Sequence, residues 1–487
     1  SLCPQHNRVC PSRSRTQQAH HVVGVCVLGA RCKLAHHGKD RDSVDAQLSS
    51  PRLSGLDADP HGVGSHRVRL RGDVSHHEIS SAARFAQRIF LTVMKITYLA
   101  NIRLPTEKAH GIQITKMCES FASLGHEVTL VVPDRVSAIT TDPFEYYGLR
   151  RNFIINRLPT YNPKVITAAF FRLQSFLFFI LSFWFMLPRK EDLVYSRETG
   201  PLLLLALLGR RFIWEVHTAK GPVLARYLAR RAVSVVAITA GLKDALVSVG
   251  VPAQRILVAH DAIDPDDFPT GEDKGELRKS LGLPPSRKIV GYVGKYRTAG
   301  LAKGVSGSKG VDEFIEAFAK AREDAPDALL LLVGLNPDEL SLVTDIAVRF
   351  GIPKDARVIV GHVAHRQALA YMRAADVLVM NYPALEHYAH FMSPLKLFEY
   401  MASGAAIVST DLPSVREVLD ESCAVLVPPD DGPALAGGIS VLLGDAERVS
   451  VLAHAASLRV RERHTWLSRT EGILLPLVSA EEHRHNQ

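Results

Sequence analysis

The segment from Ser393 to Gly404 has the residue types of a helix that binds phosphate and ribose. Ser393 suits an N-cap and Pro394 a first helical residue, so the sequence predicts a helix whose unpaired backbone N–H groups begin here. Such a helix end binds phosphate. Glu399 lies further along, where a carboxylate can accept hydrogen bonds from both hydroxyls of a ribose. The spacing suits a nucleoside diphosphate, whereas an ordinary surface helix is the alternative.

Basic residues follow a predicted strand that ends at Gly294. Lys295 and Arg297 come directly after it, and Lys309 closes the glycine-rich loop that follows. These cations would face the helix end described above and neutralise the charge that builds on a departing diphosphate. Removal of one such preorganised donor commonly costs about 10²- to 10³-fold in rate. Solvated loop cations are the alternative, and the two motifs strengthen one another.

Two series of alternating strands and helices are predicted to position these motifs. The first contains a helix with an apolar face, ended by Gly125, and the strands Lys95 onward, Glu127 to Val132, Phe153 to Ile155, Leu193 to Tyr195, Phe212 to Val216 and Val233 to Ile238. The second contains the strands Lys288 to Gly294, Ala328 to Val333, Arg357 to Val360, Val377 to Met380, Ala406 to Ser409 and Ala424 to Val427. This alternation predicts an α/β fold with two doubly wound parallel sheets.

A polar, proline-containing stretch from Ala259 to Lys279 separates the two series, as linkers do. We therefore expect a leader at 1–93, a first domain at 94–275, a second domain at 276–460, and a C-terminal helix and tail at 461–487.

With these motifs the chain resembles a retaining glycosyltransferase of the family 4, group 1 type, which has the GT-B fold of two Rossmann-like domains facing across a cleft. The resemblance covers residues 94 to about 475. It rests on ordered motifs in both halves, which are His110-Gly111, Tyr195-Ser-Arg197, Glu215-Val-His217, Gly291-Tyr-Val-Gly294, Lys309-Gly-Val311, Leu332-Val-Gly334, Ala374-Ala-Asp376 and the Ser393 to Gly404 segment.

The resemblance implies a nucleoside-diphosphate sugar as donor and a sugar, lipid-linked or small-molecule acceptor. It implies that Lys309 and Arg297 bind the diphosphate, that Glu399 binds ribose and that His217 faces the sugar. The implied catalytic set is His217, Lys309 and Arg297. The implied donor-binding set is Gly111, Gly294, Arg297, Lys309, Ser393, Pro394, Leu395, Lys396 and Glu399, and the implied acceptor-binding set is Glu107, Lys108 and His110.

The resemblance also implies that no metal or other cofactor is needed, because cations and helix ends replace the ion that other glycosyltransferases hold with Asp-x-Asp. Asp264-Pro-Asp266 is accordingly expected to form a turn.

Two departures from the family pattern bear on the site. The family commonly has a glutamate eight residues before the ribose glutamate, and this chain has Phe391 there, with Glu386 and His390 as nearby candidates for the role. The loop from Lys295 to Lys309 is longer than usual, which bears on the assignment of Arg297.

Charge and cysteine content separate residues 1–93 from the rest. This leader holds 13 Lys and Arg against 7 Asp and Glu, so it carries +6 of the net charge of +8. The basic balance is therefore poor evidence for nucleic-acid binding, and we expect no nucleic-acid partner. The leader also holds four of the six cysteines and has no apolar periodicity, so it is predicted to be disordered or non-native. The two remaining thiols favour a cytoplasmic protein.

The stretch Phe176 to Leu187 is almost entirely apolar and precedes Pro188-Arg-Lys. Because a bilayer crossing needs about 20 apolar residues, the stretch is expected to be too short to span. A buried helix of the first domain is one interpretation. Peripheral contact with the inner face of a membrane is the other, and it would suit a lipid-linked acceptor.

Three other classes remain as alternatives. A dinucleotide dehydrogenase lacks its G-x-G-x-x-G motif in the loop from Asn101 to Gly111. A sugar-nucleotide epimerase would need acids and a base that the sequence does not assign. A catalytically weak nucleotide-sugar-binding scaffold is the third, because Phe391 replaces the usual acid. The base and sugar of the donor, the acceptor and the oligomeric state are not fixed by these residues.

Overall fold

The computed structural model describes residues 93–162, 167–218, 221–297 and 309–485. The expectations about the leader therefore lie outside the described residues. Seven parallel strands form the first sheet, in the order β3-β2-β1-β4-β5-β6-β7. They are Lys95–Leu99 (β1), Glu127–Pro133 (β2), Ile154–Leu158 (β3), Leu193–Ser196 (β4), Phe212–Val216 (β5), Ser234–Ala237 (β6) and Ile256–Val258 (β7).

Six parallel strands form the second sheet, in the order β10-β9-β8-β11-β12-β13. They are Ile289–Val293 (β8), Leu329–Leu335 (β9), Arg357–Gly361 (β10), Val377–Met380 (β11), Ala406–Thr410 (β12) and Val425–Val427 (β13). The predicted GT-B architecture of two doubly wound sheets is thus confirmed. In each sheet the strand order reverses beside the first strand, which opens a crevice at the carboxyl ends of the strands.

Helices cover both sheets. Those of the first domain, the sheet β1–β7 with its helices, are Ala109–Ser123 (α1), Pro143–Tyr147 (α2), Ala168–Met186 (α3), Thr199–Leu207 (α4), Pro222–Arg231 (α5) and Ala240–Ser248 (α6). The others are Lys274–Ser280 (α7), Val311–Ala321 (α8), Pro337–Arg349 (α9), His365–Ala374 (α10), Glu386–His390 (α11), Leu395–Ala402 (α12), Pro413–Arg416 (α13), Gly432–Gly444 (α14), Ala446–Arg463 (α15) and Trp466–His485 (α16).

The linker helix α7 packs on the second domain, the sheet β8–β13 with its helices. Arg278 donates hydrogen bonds to the carbonyl of Ala374 at 2.8 Å and to Oδ2 of Asp376 at 2.7 Å. The boundary expected between residues 275 and 276 therefore falls inside this helix. The Asp264 side chain accepts a hydrogen bond from the N–H of Asp266 at 3.1 Å and caps a 3₁₀ turn, so Asp264-Pro-Asp266 forms a turn.

The C-terminal helix α16 returns to the first domain and packs on α1. Ser120 and Thr470 share a hydrogen bond at 2.8 Å between their buried hydroxyls. Trp466, Ile473 and Leu474 are buried in the core of the first domain. The last helix thus ties the second half of the chain to the first.

Helix α3 corrects the expectation for the stretch Phe176 to Leu187. It begins at Ala168, eight residues earlier than that stretch, and by length and composition its window Ala169–Met186 could cross a membrane. Only 22% of that window is buried, so the helix packs on the core of the first domain with one face and is not buried all round. Its inner face, which carries Gln174, Phe178, Ser182 and Met186 at four-residue intervals, is buried.

Candidate active site

The N-terminal end of α12 faces a cavity between the carboxyl ends of the two sheets. The helix begins at Leu395 with Pro394 as its N-cap, one residue later than predicted, so Ser393 does not cap it. The Ser393 hydroxyl instead accepts a hydrogen bond from the N–H of Asp261 at 2.9 Å. Pro394, Leu395 and Lys396 all line the cavity. The first backbone N–H groups of α12 have no partner within the helix and are available to an anion.

Glu399 lies one turn further along α12 and also lines the cavity. Its carboxylate is hydrogen-bonded to Nε2 of His365, the first residue of α10, at 2.7 Å. The Glu399 side chain is only 11% exposed. Because a carboxylate accepts about four hydrogen bonds, Glu399 can still accept one from a sugar hydroxyl.

Cations line the cavity around the end of β8. Lys295, Arg297 and Lys309 all contribute to its wall. Burial lowers the pKa of Lys309 to about 8, with a further decrease from Lys295. Gly310 lies close to Asn381, and a Cβ at this position would lie 1.5 Å from the carbonyl oxygen of Asn381. Its φ of 75° is also one that glycine adopts most readily.

The opposite wall comes from the loop after β1 and the first turn of α1, which place Glu107, Lys108 and His110 on the cavity. Glu107 forms ion pairs with Arg103 and, across the cleft, with Lys295 at 4.0 Å. Burial alone would raise the pKa of Glu107, but backbone hydrogen bonding and the two cations outweigh it and lower the pKa. Burial lowers the pKa of His110 to about 4, so its imidazole is neutral at pH 7.

Three residues of the implied site, which are Ser393, Gly111 and His217, do not line this cavity. Gly111 donates its N–H to the carbonyl of Lys108 at 2.9 Å, so that N–H is already paired. A Cβ on Gly111 would lie 2.3 Å from Oη of Tyr147, which makes the glycine a packing requirement. His217 does not line the cavity either, and its Nε2 is hydrogen-bonded to Glu215 at 2.7 Å.

Glu215 is the centre of a buried polar network in the first domain. It accepts hydrogen bonds from Gln113 at 2.6 Å, from Arg469 at 3.0 Å and from the Tyr195 hydroxyl. Burial would raise the pKa of Glu215, but Arg469 and His217 outweigh it and hold the pKa well below its usual value. Burial lowers the pKa of His217.

The segment around Phe391 contacts the first domain rather than the cavity. Phe391 packs partly buried against the core of that domain. The His390 carbonyl accepts a hydrogen bond from the Thr239 hydroxyl at 2.7 Å. Among the described residues, neither Glu386 nor His390 lines the cavity. The position of the missing family acid is therefore part of a domain contact, and neither candidate replacement is placed beside the proposed donor.

The cavity encloses about 480 Å³, a size typical of small-molecule sites. Several of its residues were not assigned from the sequence. These are Tyr146, Tyr147, His362, His365 and Tyr382. Lys295, which the sequence grouped with the cations after Gly294, also lines the cavity.

Comparison with known proteins agrees with this arrangement. The family model described as Glycosyltransferase Family 4 matches residues 111–267, and the one described as Glycosyl transferases group 1 matches residues 287–445. Together they cover more than half of the chain, which therefore belongs to the group 1, family 4 glycosyltransferases of the GT-B fold.

The relatives include an alpha-D-kanosaminyltransferase from Streptomyces kanamyceticus, 24% identical over 53% of this chain and 67% of that protein. A phosphatidyl-myo-inositol mannosyltransferase from Mycolicibacterium smegmatis is 28% identical over 41% of this chain and 48% of that protein. The chain thus spans about half to two thirds of the length of these two relatives. The crystal structure of Anabaena HepE with UDP and glucose shares the fold, with a TM-score of 0.60 and 17% identity over 79% of this chain and all of that one.

Proposed function

We propose that the protein transfers a sugar from a nucleoside-diphosphate sugar to an acceptor hydroxyl, with retention of configuration at the anomeric carbon. One observation carries the proposal: a single cavity combines the end of α12 and Lys309 on one wall with Glu107, Lys108 and His110 on the other. Anion-binding groups and polar groups suited to a hydroxyl acceptor thus face each other across the cleft between the domains.

In the proposed reaction the anomeric carbon exchanges its bond to a phosphate oxygen for a bond to the acceptor oxygen. The bonding electrons leave with the diphosphate, and the proton of the acceptor hydroxyl is released. Lys309 and Arg297, with the N–H groups of α12, stabilise the charge that grows on the leaving group. Glu399 holds the ribose. The contact of His217 with the sugar stays a prediction, because that residue does not line the cavity and is hydrogen-bonded to Glu215.

The related proteins suggest classes of donor and acceptor. HepE was crystallised with UDP and glucose, and the mannosyltransferase is named for a phosphoinositide. We therefore propose a sugar or lipid-linked acceptor and a role in the synthesis of a glycan, polysaccharide or glycolipid. The reaction is proposed to need no metal ion, since cationic side chains face the phosphate position. Turnover that is lost in chelator and restored by Mn²⁺ would contradict this part.

A lipid-linked acceptor would fit a membrane-surface contact through α3. The outer face of α3 exposes large apolar side chains, among them Phe176 at 59% and Trp184 at 62%. Arg189 stacks on the Phe185 ring at 3.6 Å and adds a cation beside this face. An apolar face with neighbouring cations is typical of helices that lie in an anionic membrane surface. We propose that this face rests on such a surface.

Vesicle co-sedimentation tests the membrane contact. Trp184→Glu should reduce binding to vesicles of anionic phospholipid by removing an apolar anchor and adding a repelled charge. The matched control is Val348→Glu, an apolar residue of the second domain that is 56% exposed. Equal binding by the wild type and Trp184→Glu would contradict the contact.

A thermal-shift screen against a panel of nucleotide sugars tests the proposed donor. A donor that binds only the folded protein raises the melting temperature by mass action. The best donor is then incubated with and without candidate acceptors, and NMR of the product gives its anomeric configuration. Donor binding with no hydrolysis and no transfer would favour a scaffold over an enzyme.

A further inference from the structure

Lys396 projects from the first turn of α12 into the wall of the cavity. Its side chain is half-buried, but its Nζ is buried and has no hydrogen-bond partner among the described residues. Nζ lies 4.0 Å from the centroid of the Tyr292 ring and 5.1 Å from that of Tyr382. Two aromatic faces attract a cation but accept no conventional hydrogen bond from it. The amine therefore lacks the partner that a buried ammonium requires.

A second buried lysine shows how this fold satisfies such a group. Lys116, which is 3% exposed, contacts the carboxylates of Asp264 at 2.8 Å, Asp267 at 3.2 Å and Glu119 at 3.4 Å. Lys396 has no such ion pair among the described residues. Its difference from Lys116 is that it faces the cavity, where an anionic ligand could supply the missing acceptors.

The groups around Lys396 disfavour a charged amine in the free protein. Burial lowers the pKa of Lys396 well below its usual value, the cation of Lys309 lowers it further, and Glu399 raises it. Glu399 is itself hydrogen-bonded to His365. The other groups that face Lys396 are the phenols of Tyr292 and Tyr382, which stay neutral because burial raises the pKa of each.

We propose that Lys396 is a direct ligand of the donor diphosphate and that its neutral amine takes up one proton from solvent when that diphosphate binds. The step is an acid–base reaction only: the nitrogen lone pair accepts the proton, and the resulting ammonium donates to the anionic oxygens. The proposal rests on the proposed function, since it requires a diphosphate in this cavity.

The backbone around Lys396 fits this role. Gly294 lies opposite, and a Cβ there would lie 3.2 Å from Nζ, so the glycine leaves the approach to the amine open. The N–H groups at the start of α12 lie next to Lys396 in the chain and would bind the same diphosphate.

The proposal also gives the sign of the effect of pH on nucleotide binding. As the pH rises, the neutral amine prevails in the free protein, and the dissociation constant should increase by at most about tenfold per pH unit.

Isothermal titration calorimetry tests the proposal. UDP, GDP, ADP and dTDP are titrated at pH 7.5 in Hepes and in Tris, and the dependence of the heat on the ionisation enthalpy of the buffer gives the number of protons taken up. We expect the wild type to take up more protons than Lys309 alone can supply with the nucleotide that binds most tightly. Lys309, whose pKa is about 8, can contribute only about a quarter of a proton.

The variant Lys396→Met should lose this uptake and bind roughly 10- to 100-fold more weakly. His110, His362 and His365 line the same cavity and are unchanged in the variant, so the difference between the two proteins isolates Lys396. The exposed Lys320→Met is the control and should match the wild type.

Equal proton uptake by the wild type and Lys396→Met would overturn this inference and leave the proposed function standing. Failure of every nucleotide to bind the wild type would overturn both. If Lys396→Met does not fold, Lys396→Arg is used instead, because a guanidinium is charged at all relevant pH values. Nucleotide binding by that variant with undiminished proton uptake would equally overturn the inference.

Discussion

Arg469 of the C-terminal helix donates a hydrogen bond to Oε2 of Glu215, at the end of β5, across 3.0 Å. Both side chains are almost completely buried, at 3% and 0% exposure. Arg469 also donates to the backbone carbonyl of His260 at 2.7 Å. A residue near the end of the chain thus neutralises a carboxylate in the core of the first domain.

Removal of this arginine should destabilise the fold. Arg469→Met leaves the buried Glu215 carboxylate without its cation, and breaking a buried ion pair in this way costs about 3 to 5 kcal/mol. Chemical denaturation measures the change in the free energy of unfolding. Lys279→Met is the control, because its partner Glu276 and Lys279 itself are 71% and 60% exposed. The control should lose less than about 1 kcal/mol of unfolding free energy. If Arg469→Met loses no more stability than the control, the role of Arg469 is contradicted.

Asp261 gives a prediction about the pH dependence of stability. Burial raises the pKa of its carboxyl to about 7, against 3.8 for an unperturbed aspartate. The folded state therefore holds a proton that the unfolded state has already released between about pH 4 and 7, so this group lowers stability as the pH rises through that window. Asp261→Asn removes the titration. The variant should gain up to about 4 kcal/mol relative to the wild type between pH 4 and 8.

Denaturation curves of both proteins at pH 4.5 and pH 8 measure this difference. The free energy of unfolding of Asp261→Asn should exceed that of the wild type by more at pH 8 than at pH 4.5. The same difference at both pH values would show that the carboxyl of Asp261 does not titrate in this window.

Much of the scaffold could be predicted because buried parallel strands are short apolar runs, which the sequence displays directly. All six strands of the second sheet were placed within two residues of their observed ends. β7 was missed because Ile256–Val258 is only three residues long and lies in a polar stretch. The start of α3 at Ala168 was missed because Arg172 and Gln174 interrupt the apolar run used to define it.

The site was only partly predictable, for a different physical reason. Lys309 and Glu399 could be found because motifs mark them locally. The hydrogen bond of Glu399 to His365 joins residues 34 positions apart, and that of Glu215 to Arg469 joins residues 254 positions apart. Such contacts depend on how the helices pack, and local spacing carries no information about them. The same reason explains why Gly111, His217 and Ser393 were assigned to the site although they do not line its cavity.

Glu399 should contribute mainly to donor binding. Glu399→Gln keeps the size of the side chain but removes the charge that strengthens its hydrogen bonds to a ribose. Hydrogen bonds to charged groups contribute about 1.5 to 3 kcal/mol, so the dissociation constant of the donor should rise roughly 10- to 100-fold. Calorimetry measures the affinity, and the melting temperature without ligand should change little. If the donor binds the variant as tightly as the wild type, Glu399 is a structural carboxylate paired with His365.

The most direct test of the account is the turnover of the variant Lys309→Ala with the donor found by screening. Lys309 lines the cavity and is proposed to face charge that grows as the sugar leaves, so its loss should lower kcat by about 10²- to 10³-fold. Donor affinity should change less, and the exposed control Lys320→Ala should turn over normally. The rates of nucleoside diphosphate release and of product formation are measured at a saturating concentration of donor. A wild-type kcat in Lys309→Ala, from a folded protein, would contradict the placement of the departing diphosphate in this cavity.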